Sequence, residues 1–225
     1  MEQREIVEYR FYCPPGVQCV LACGSSAFIG EVDDSTVLNL TLIIGHKGLT
    51  ETGLCLERAV DGTIFDYLTT SDIPTPSLQQ RLAWCRELCE AVEHVRSKRV
   101  IHCDIQPTNV LVDRKAHFEL ADFQGRYLSE DGNIILDGWS GEPCRYFCPR
   151  DDEFVANFRT GFFALGSTIH FIMTGQEGFS DIFSGEAGWD DEVKPRFARD
   201  SCGERCRPPH AIFSLRLISW IIITL

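Results

Sequence analysis

Three polar side chains near the middle of the chain are of types that can accept a proton or bind a metal ion. Asp104 follows His102 by two residues, and Asn109 follows Asp104 by five. A short apolar strand comes next, and Leu120-Ala121-Asp122-Phe123 then presents a second carboxylate beside an aromatic ring. Carboxylates act as general bases, and carboxylate and amide oxygens bind Mg²⁺. The alternative interpretation is that Asp104 caps a turn and Asp122 is a solvated acid in a loop.

The residues between Asn109 and Asp122 predict the element that positions them. Val110-Leu111-Val112 and Phe118-Glu119-Leu120 are short apolar runs on either side of a polar turn, the pattern of a small hairpin. Such a hairpin would carry Asn109 on one side and Asp122 on the other. Two groups thirteen residues apart in sequence could then face one metal ion.

Together these motifs resemble the catalytic loop and the metal-binding motif of the eukaryotic protein kinases, H-R-D-L-x-x-x-x-N followed by D-F-G. The resemblance covers roughly residues 20 to 195. It implies ATP and Mg²⁺ as ligands and a protein Ser/Thr hydroxyl as substrate. In these roles Asp104 accepts the proton of the substrate hydroxyl, and Asn109 and Asp122 hold the metal ions. His102 and Phe123 would form a buried pair that couples the two motifs.

Several positions of the lower lobe depart from the family pattern. Gln106 stands at the usual position of the catalytic-loop Lys, and Cys103 replaces the Arg of the first motif. A neutral amide can hydrogen-bond a phosphate but cannot offset its charge, and without the Arg no cation is available to bind a phosphorylated activation loop. Gln124 replaces the Gly after Asp-Phe, with Gly125 one place later. Gly161 occupies the position of an Asp that hydrogen-bonds the catalytic loop in the family.

The upper lobe departs further from the family pattern than the lower lobe does. The segment before residue 39 aligns with V-A-I-K of the family, so Asn39 stands where the phosphate-anchoring Lys is expected. Too few residues follow for the several-turn helix that carries the partner Glu. The resemblance assigns nucleotide contacts to the glycine-poor loop, to the usual Lys position and to the hinge: Gly24, Ser25, Ser26, Ala27, Gly30, Asn39, Glu57 and Ala59.

The predicted fold class is α+β. The architecture expected from the resemblance is a protein kinase-like two-lobe fold, with a shortened β-rich N-lobe that lacks the family's αC helix and an incomplete, mainly helical C-lobe. The predicted bounds are a leader at 1–16, the kinase-like domain at 17–200 and an atypical apolar tail at 201–225. Within the domain we expect the N-lobe at 17–58, the hinge at 59–62 and the C-lobe at 63–200. A truncated or misjoined gene product would account for both incomplete regions.

Apolar periodicity predicts the elements within this domain. Short apolar runs predict strands at 20–22, 28–32, 36–38, 42–44 and 54–56, with a break over His46-Lys47-Gly48. Helices are expected at 63–68, from Ser77 to about 96–99, at 160–174 and at 190–199, whereas 125–150 is expected to be a loop. Ser77 and Gln80 have the spacing of a capping box. The apolar face of that helix would comprise Leu78, Leu82, Cys85, Leu88, Cys89, Val92 and Val95.

Charge and composition argue against several classes of partner. The chain has 225 residues and a net charge of −12, with no run of Lys or Arg, so nucleic acids and anionic membranes are poor electrostatic partners. The apolar stretch 211–225 is shorter than the ~20 residues of a membrane span and contains Arg216, which favours packing onto the domain. The first residues do not form a signal peptide, so the eleven cysteines indicate reduced thiols in the cytoplasm or nucleus and not a secreted protein.

Three functional hypotheses remain at this point. The first is a protein Ser/Thr kinase that uses ATP and Mg²⁺, with activity weakened because several family motif residues are replaced. The second is a pseudokinase, a module that binds a protein partner through its lower lobe without catalysis. The third is a fragment without a function of its own. The missing Lys and helix favour the second hypothesis, whereas Asp104, Asn109 and Asp122 together favour the first, because protein docking requires none of them.

Overall fold

The fold is taken from a computed structural model that describes most of the chain from residue 61 onward and four strands before it. Backbone and side chains are described for residues 61–70, 74–123 and 125–197, and the backbone alone for 19–23, 28–31, 46–50, 53–56 and 198–200. The chain divides into two compact units. The first contains Met1–Asn39 and Gly45–Arg58, and the second contains Leu40–Ile44 and Ala59–Leu225.

Two antiparallel hairpins make up the described part of the first unit. Strand β1 (Cys19–Cys23) pairs with β2 (Phe28–Glu31), and β3 (His46–Thr50) pairs with β4 (Gly53–Leu56). The strands predicted at 20–22, 28–32 and 54–56 are confirmed. The break predicted over His46-Lys47-Gly48 is wrong, because these residues pair with the end of β4 and tertiary pairing overrides their weak strand propensity. The other predicted strands, and the region where the αC helix would lie, fall outside the described residues.

The second unit contains four helices and five short strands among its described residues. The helices are α1 (Ile64–Thr69), α2 (Leu78–Ser97), α3 (Phe158–Thr174) and α4 (Trp189–Asp200). The strands are β5 (Val100–Ile101), β6 (Val110–Val112), β7 (Phe118–Leu120), β8 (Arg126–Leu128) and β9 (Ile134–Leu136). All four predicted helices are confirmed to within two residues at each end. Among the described residues, no helix has the length and apolarity that crossing a bilayer requires.

Helix α2 forms one side of the main core. Ser77 caps its first turn by accepting a hydrogen bond from the Gln80 backbone N–H at 3.1 Å. The predicted capping box is only half formed, because the Gln80 side chain donates instead to the carbonyl of Ala116 at 3.3 Å. Leu78 was expected on the apolar face but is 64% exposed, since the first turn precedes the surface against which the helix packs.

The residue at the centre of this core is Trp84, which the periodicity analysis did not include. Its side chain is fully buried and stacks on Phe118 of β7 with ring centroids 5.0 Å apart. Its indole N–H donates to the carbonyl of Ala116 at 2.6 Å. Helix α2 therefore holds the β6–β7 hairpin by packing and by hydrogen bonds that include those of Trp84 and Gln80 to Ala116 and that of the Phe118 N–H to Glu87.

The region 125–150, predicted as a loop, contains two strands of a small sheet. Strands β5, β8 and β9 lie in that order, with Val100 opposite Tyr127 and Leu128 opposite Ile134. The prediction is wrong here because a strand of three residues is too short to establish an alternating pattern among glycines and acids. The sheet anchors the chain on both sides of the loop that carries Asp104, since β5 precedes this loop and β8 follows Asp122.

Helix α3 begins and ends with recognisable capping residues. Asn157 and Thr160 form a capping box, in which the Asn157 side chain accepts from the Thr160 N–H and Thr160 Oγ1 accepts from the Asn157 N–H. Gly175 closes the helix in the left-handed conformation at φ 73°. This closure confirms the predicted end at Gly175 and follows the usual preference for glycine after the last helical turn.

Replacement by alanine is expected to change the stability of the fold in opposite directions at two glycines, one within α3 and one directly after it. Gly175→Ala should lower the free energy of unfolding by about 1–2 kcal/mol, because a Cβ is strained at φ 73°. Gly161→Ala should raise it by about 0.5–1 kcal/mol, because Gly161 has ordinary helical geometry and its added Cβ would meet nothing within 4 Å. Denaturant unfolding of both variants measures the pair, and a loss of stability in Gly161→Ala would contradict this description.

Candidate functional site

The candidate site lies in the loop between β5 and β6, which is held at both ends. Before the loop, Ile101 pairs with Arg126 of β8. After it, a single 3₁₀ turn (Pro107–Asn109) leads into β6, and the Asn109 carbonyl accepts from the Ala121 N–H at 2.9 Å. The loop backbone is therefore tied to the residue that directly precedes Asp122.

Asp104 is the buried carboxylate of this loop, with only 4% of its surface exposed. The Gln106 side-chain amide donates to its Oδ1 at 2.8 Å, and the Asn109 amide donates to its Oδ2 at 2.9 Å. Asn109 Nδ2 also donates to the Asp104 backbone carbonyl at 2.9 Å. The carboxylate is thus fixed in orientation by two neutral amides.

Burial raises the pKa of Asp104 to about 6, because the charged form loses its hydration. The hydrogen bonds from Gln106 and Asn109 oppose the shift, whereas the negative charges of Asp122 and Glu142 add to it. The effect of burial is the largest of these. A carboxylate with its pKa just below neutrality is ionised at pH 7 and still basic enough to accept a proton in a reaction.

His102 is a buried, neutral link between the two motifs. Its Nε2 lies 2.9 Å from the carbonyl of Ala121, and its Nδ1 accepts from the Asp104 backbone N–H at 3.3 Å. Burial lowers the pKa of the imidazole to about 4. Its ring contacts Phe123 at 4.4 Å between centroids, but Phe123 is 38% exposed, so the expectation that both rings are buried is wrong. Phe123 comes after the end of β7, where little packs over it.

Asp122 lies at the end of the β6–β7 hairpin, which confirms the hairpin predicted from sequence. Val110 pairs with Leu120, so the residues just outside this pair, Asn109 and Ala121, meet at one end of the hairpin, and Asp122 follows Ala121 directly. Asp122 is exposed and has φ 58°, a left-handed conformation that aspartate tolerates better than most residues. Strained backbone of this kind is often found at functional positions.

Asn109 and Asp122 are the residues here that could hold Mg²⁺, because amide and carboxylate oxygens are ligands of this ion. Asn109 uses its amide nitrogen for Asp104, which leaves its carbonyl oxygen for another partner. Mg²⁺ at phosphate sites keeps several waters and takes only one or two carboxylates from the protein, the remaining ligands being phosphate oxygens. Among the described residues, no group of three His, Cys, Asp or Glu side chains could hold a metal alone. The pair therefore suits a metal ion that arrives with a phosphorylated ligand.

The departures from the family pattern are visible in the structure. Cys103 is buried at φ 71°, with its thiol 3.4 Å from the Ile101 carbonyl, so it cannot bind an anion in place of an Arg. Gly161 lines a cavity of about 20 Å³ beside His102 and Ile105, which is room for one water molecule. Gln124 lies outside the described residues.

Sequence reasoning missed the charged groups that support the loop after β9. Glu142 is buried and pairs with Arg150 at 3.2 Å, and Ser140 hydrogen-bonds both of them. Arg126 is also buried, and it pairs with Asp137 at 2.9 Å. Isolated charged residues in a polar segment give no local signal, because only the tertiary fold brings these partners together. The negative charge of Glu142 contributes to the raised pKa of Asp104.

Of the upper-lobe residues expected to contact nucleotide, the structure describes Gly30. Gly30 lies within β2, opposite Val20. The remaining residues of that set lie outside the described residues: Gly24, Ser25, Ser26, Ala27, Asn39, Glu57 and Ala59. The described geometry therefore unites Asp104, Gln106, Asn109 and Asp122, the lower-lobe part of the predicted site.

Comparison with known proteins places the site within a region of recognisable similarity. Residues 29–134 match the family model described as "Protein kinase domain". The chain is 31% identical over 130 residues to the serine/threonine-protein kinase RUNKEL of Arabidopsis thaliana, a match that covers 56% of this chain and 9% of that protein. It is 25% identical over 154 residues to rhodopsin kinase GRK1 of Rattus norvegicus, covering 65% of this chain and 26% of that protein. The chain thus spans about a tenth to a quarter of the length of these relatives.

Proposed function

We propose that this chain, a member of a protein kinase-like family, binds ATP with Mg²⁺ and transfers a phosphoryl group to a protein Ser/Thr hydroxyl. The observation that carries the proposal is the environment of Asp104, a buried carboxylate oriented by Gln106 and Asn109 beside the exposed Asp122. Burying a carboxylate costs free energy, so the position of Asp104 in this loop favours a role in chemistry.

Each residue of the site has a distinct part in this proposal. Asp104 accepts the proton of the attacking hydroxyl, and the two amides hold its carboxylate in one orientation. When bound, Mg²⁺ would neutralise charge on the phosphates, and the carboxylate of Asp122 and the amide oxygen of Asn109 would hold it. His102 positions both motifs through Ala121 and the Asp104 backbone. Gln106 adds a neutral donor where the family has a cation.

A second candidate function is that of a nucleotide-binding or protein-binding module without catalysis. The observation that favours it is that Gln106, a neutral amide, contacts Asp104 from the position where the family has a cationic Lys. Negative charge develops on the phosphoryl group in the transition state of its transfer. Preorganised cations stabilise this charge strongly, and amides do so much less. The two candidates differ in whether bound ATP reacts, and both predict that the fold is stable in isolation.

We also propose that the protein acts in the cytoplasm or the nucleus. Among the described residues, five cysteines are free thiols: Cys85, Cys89, Cys103, Cys144 and Cys148. Free thiols are the usual state in a reducing compartment.

The binding step is tested by thermal unfolding with ATP, in the presence and absence of Mg²⁺. A ligand that binds only the folded state raises the melting temperature, and at 100 times its Kd it contributes about 2.7 kcal/mol. We expect a shift that requires Mg²⁺ and that Asp122→Asn loses, because the amide removes the one carboxylate of the metal site. Glu186→Gln is the matched control, an exposed acid far from this loop in sequence, and should keep the shift.

The outcomes separate the proposals. A Mg²⁺-dependent shift, lost only in Asp122→Asn, supports nucleotide binding at this site. The absence of any shift from a protein that melts cooperatively would reject nucleotide binding and favour the protein-binding module. A shift that survives in Asp122→Asn would place the nucleotide elsewhere.

A further inference from the structure

Strand β9 presents an unusual surface, because three consecutive apolar side chains are all exposed. Ile134, Ile135 and Leu136 are 52%, 60% and 63% exposed. Successive side chains of a strand point to opposite faces of its sheet, so both faces are apolar at this position. Trp139 and Phe154 extend the apolar surface. They are 71% and 64% exposed, and their ring centroids are 5.7 Å apart. We call these five residues the β9 patch.

The backbone of β9 is also open on one side. The sheet order is β5-β8-β9, so β9 is an edge strand, and no strand among the described residues pairs with its outer edge. Natural proteins usually protect such edges with charged side chains, prolines or a covering segment, because an apolar edge recruits any available strand. None of the three β9 side chains is charged or proline. This edge therefore has the properties of one that is covered in the intact protein.

We propose that the C-terminal segment 218–223 of this chain adds as a strand to the outer edge of β9 and covers the β9 patch. Its sequence is Ile-Ser-Trp-Ile-Ile-Ile, which is rich in β-branched and aromatic residues. Its apolar residues occupy both odd and even positions, so a strand formed from it would be apolar on both faces. An ordinary amphipathic strand would match only one face of the β9 edge, whereas this segment matches both.

Charge favours this pairing over the association of two copies. The surroundings of the patch are acidic, with Asp131 in the turn before β9 and Asp151, Asp152 and Glu153 preceding Phe154, all exposed. The segment 201–225 contains three arginines, Arg205, Arg207 and Arg216, against the single acid Glu204. Docking within the chain therefore brings opposite charges together. Pairing of β9 with β9 of a second copy would bring two acidic surfaces together.

The chain between α4 and residue 218 is long enough for the segment 218–223 to reach β9. Helix α4 ends at Asp200, and the proposed strand begins at residue 218. The intervening seventeen residues span up to about 55–60 Å when extended, which exceeds the size of a domain of this length.

Hydrogen exchange of the full-length protein, read by mass spectrometry, tests the proposal. We expect peptides that cover 133–137 and 217–224 to exchange slowly, and Ile221→Asp to accelerate exchange in 133–137 at least tenfold. The reciprocal variant Ile135→Asp should accelerate exchange in 217–224. Both substitutions introduce the same charge, and Ile135 is exposed in the described fold, so its variant should still fold. Phe183→Asp, at a site 70% exposed, is the matched control and should change neither peptide.

The remaining outcomes would overturn the proposal. Fast exchange of 133–137 in the unaltered protein would mean that the edge is uncovered. Protection that increases with protein concentration would identify a second copy as the occupant. Protection of 217–224 that persists in Ile135→Asp would place the segment on another surface.

Discussion

Replacing Asp104 with asparagine is expected to lower the rate of phosphoryl transfer by about 10²–10⁴-fold. Asparagine preserves the size of the side chain but cannot accept the proton of the attacking hydroxyl. It also has only one acceptor oxygen for the two amides that now donate to the carboxylate, Gln106 Nε2 and Asn109 Nδ2. Initial rates of transfer to a protein substrate measure the effect, with Glu186→Gln as the control that should retain the full rate.

The same residue predicts opposite effects of pH on rate and on stability. The rate should rise as pH increases through about 6, because Asp104 must be ionised to accept a proton. Stability should change the other way. A carboxyl whose pKa is raised from 3.8 to about 6 by folding stabilises the folded state below pH ~4, and that contribution is lost as pH rises through 6. The loss amounts to about 3 kcal/mol for a shift of this size.

Asp104→Asn isolates this linkage because its side chain does not titrate. The difference in unfolding free energy between the unaltered protein and the variant should therefore fall by about 2.5 kcal/mol from pH 4 to pH 7.5. Urea unfolding at several pH values measures it. A constant difference, together with a rate independent of pH between 5 and 7, would mean that Asp104 does not titrate in this range and is not the base.

The second large effect is expected from Trp84→Ala, which should lower the free energy of unfolding by about 3–5 kcal/mol. Trp84 is fully buried between α2 and the hairpin, with Phe118 stacked on it and Tyr67 edge-on at 5.5 Å. Truncation leaves a cavity and removes the indole hydrogen bond to Ala116. Denaturant unfolding at pH 7 measures the loss, and the control Phe183→Ala, at an exposed site, should stay within about 0.5 kcal/mol.

A milder variant separates packing from hydrogen bonding at this position. Trp84→Phe keeps an aromatic ring against Phe118 but loses the indole N–H. The Ala116 carbonyl would still accept from Gln80 Nε2, so we expect a clearly smaller loss than for Trp84→Ala. Equal losses in the two variants would contradict the role assigned to packing.

The elements that sequence predicted well are the ones with long or repeated signals. Helix α2 extends over twenty residues with apolar side chains at helical spacing, and α3 ends at a glycine with the required φ. The hairpin β6–β7 was found because its two apolar runs flank a clear polar turn. Strands β8 and β9 were missed because three residues cannot show a period, and because β8 also pairs with β5, which is distant in sequence.

The candidate site was predictable only in its residue types. Spacing and family resemblance pointed to Asp104, Asn109 and Asp122, but the hydrogen bonds that fix Asp104 depend on side-chain directions that spacing does not specify. The raised pKa of Asp104 arises mainly from burial, with smaller contributions from the charges of Asp122 and of Glu142, whose position depends on the pairing with Arg150. The exposure of Phe123 was likewise mispredicted, since it depends on what packs over the end of β7.

A metal–nucleotide complex is proposed to bind where the loop that carries Asp104 meets the end of the β6–β7 hairpin. Mn²⁺ with ATP offers the most direct test, because Mn²⁺ replaces Mg²⁺ at oxygen ligands and broadens NMR signals of nearby nuclei. In ¹⁵N-labelled protein we expect the amides of Asn109, Val110, Ala121 and Asp122 to broaden first, and Asp122→Asn to abolish the effect. Broadening centred on other residues, or none at saturating ATP, would contradict the account.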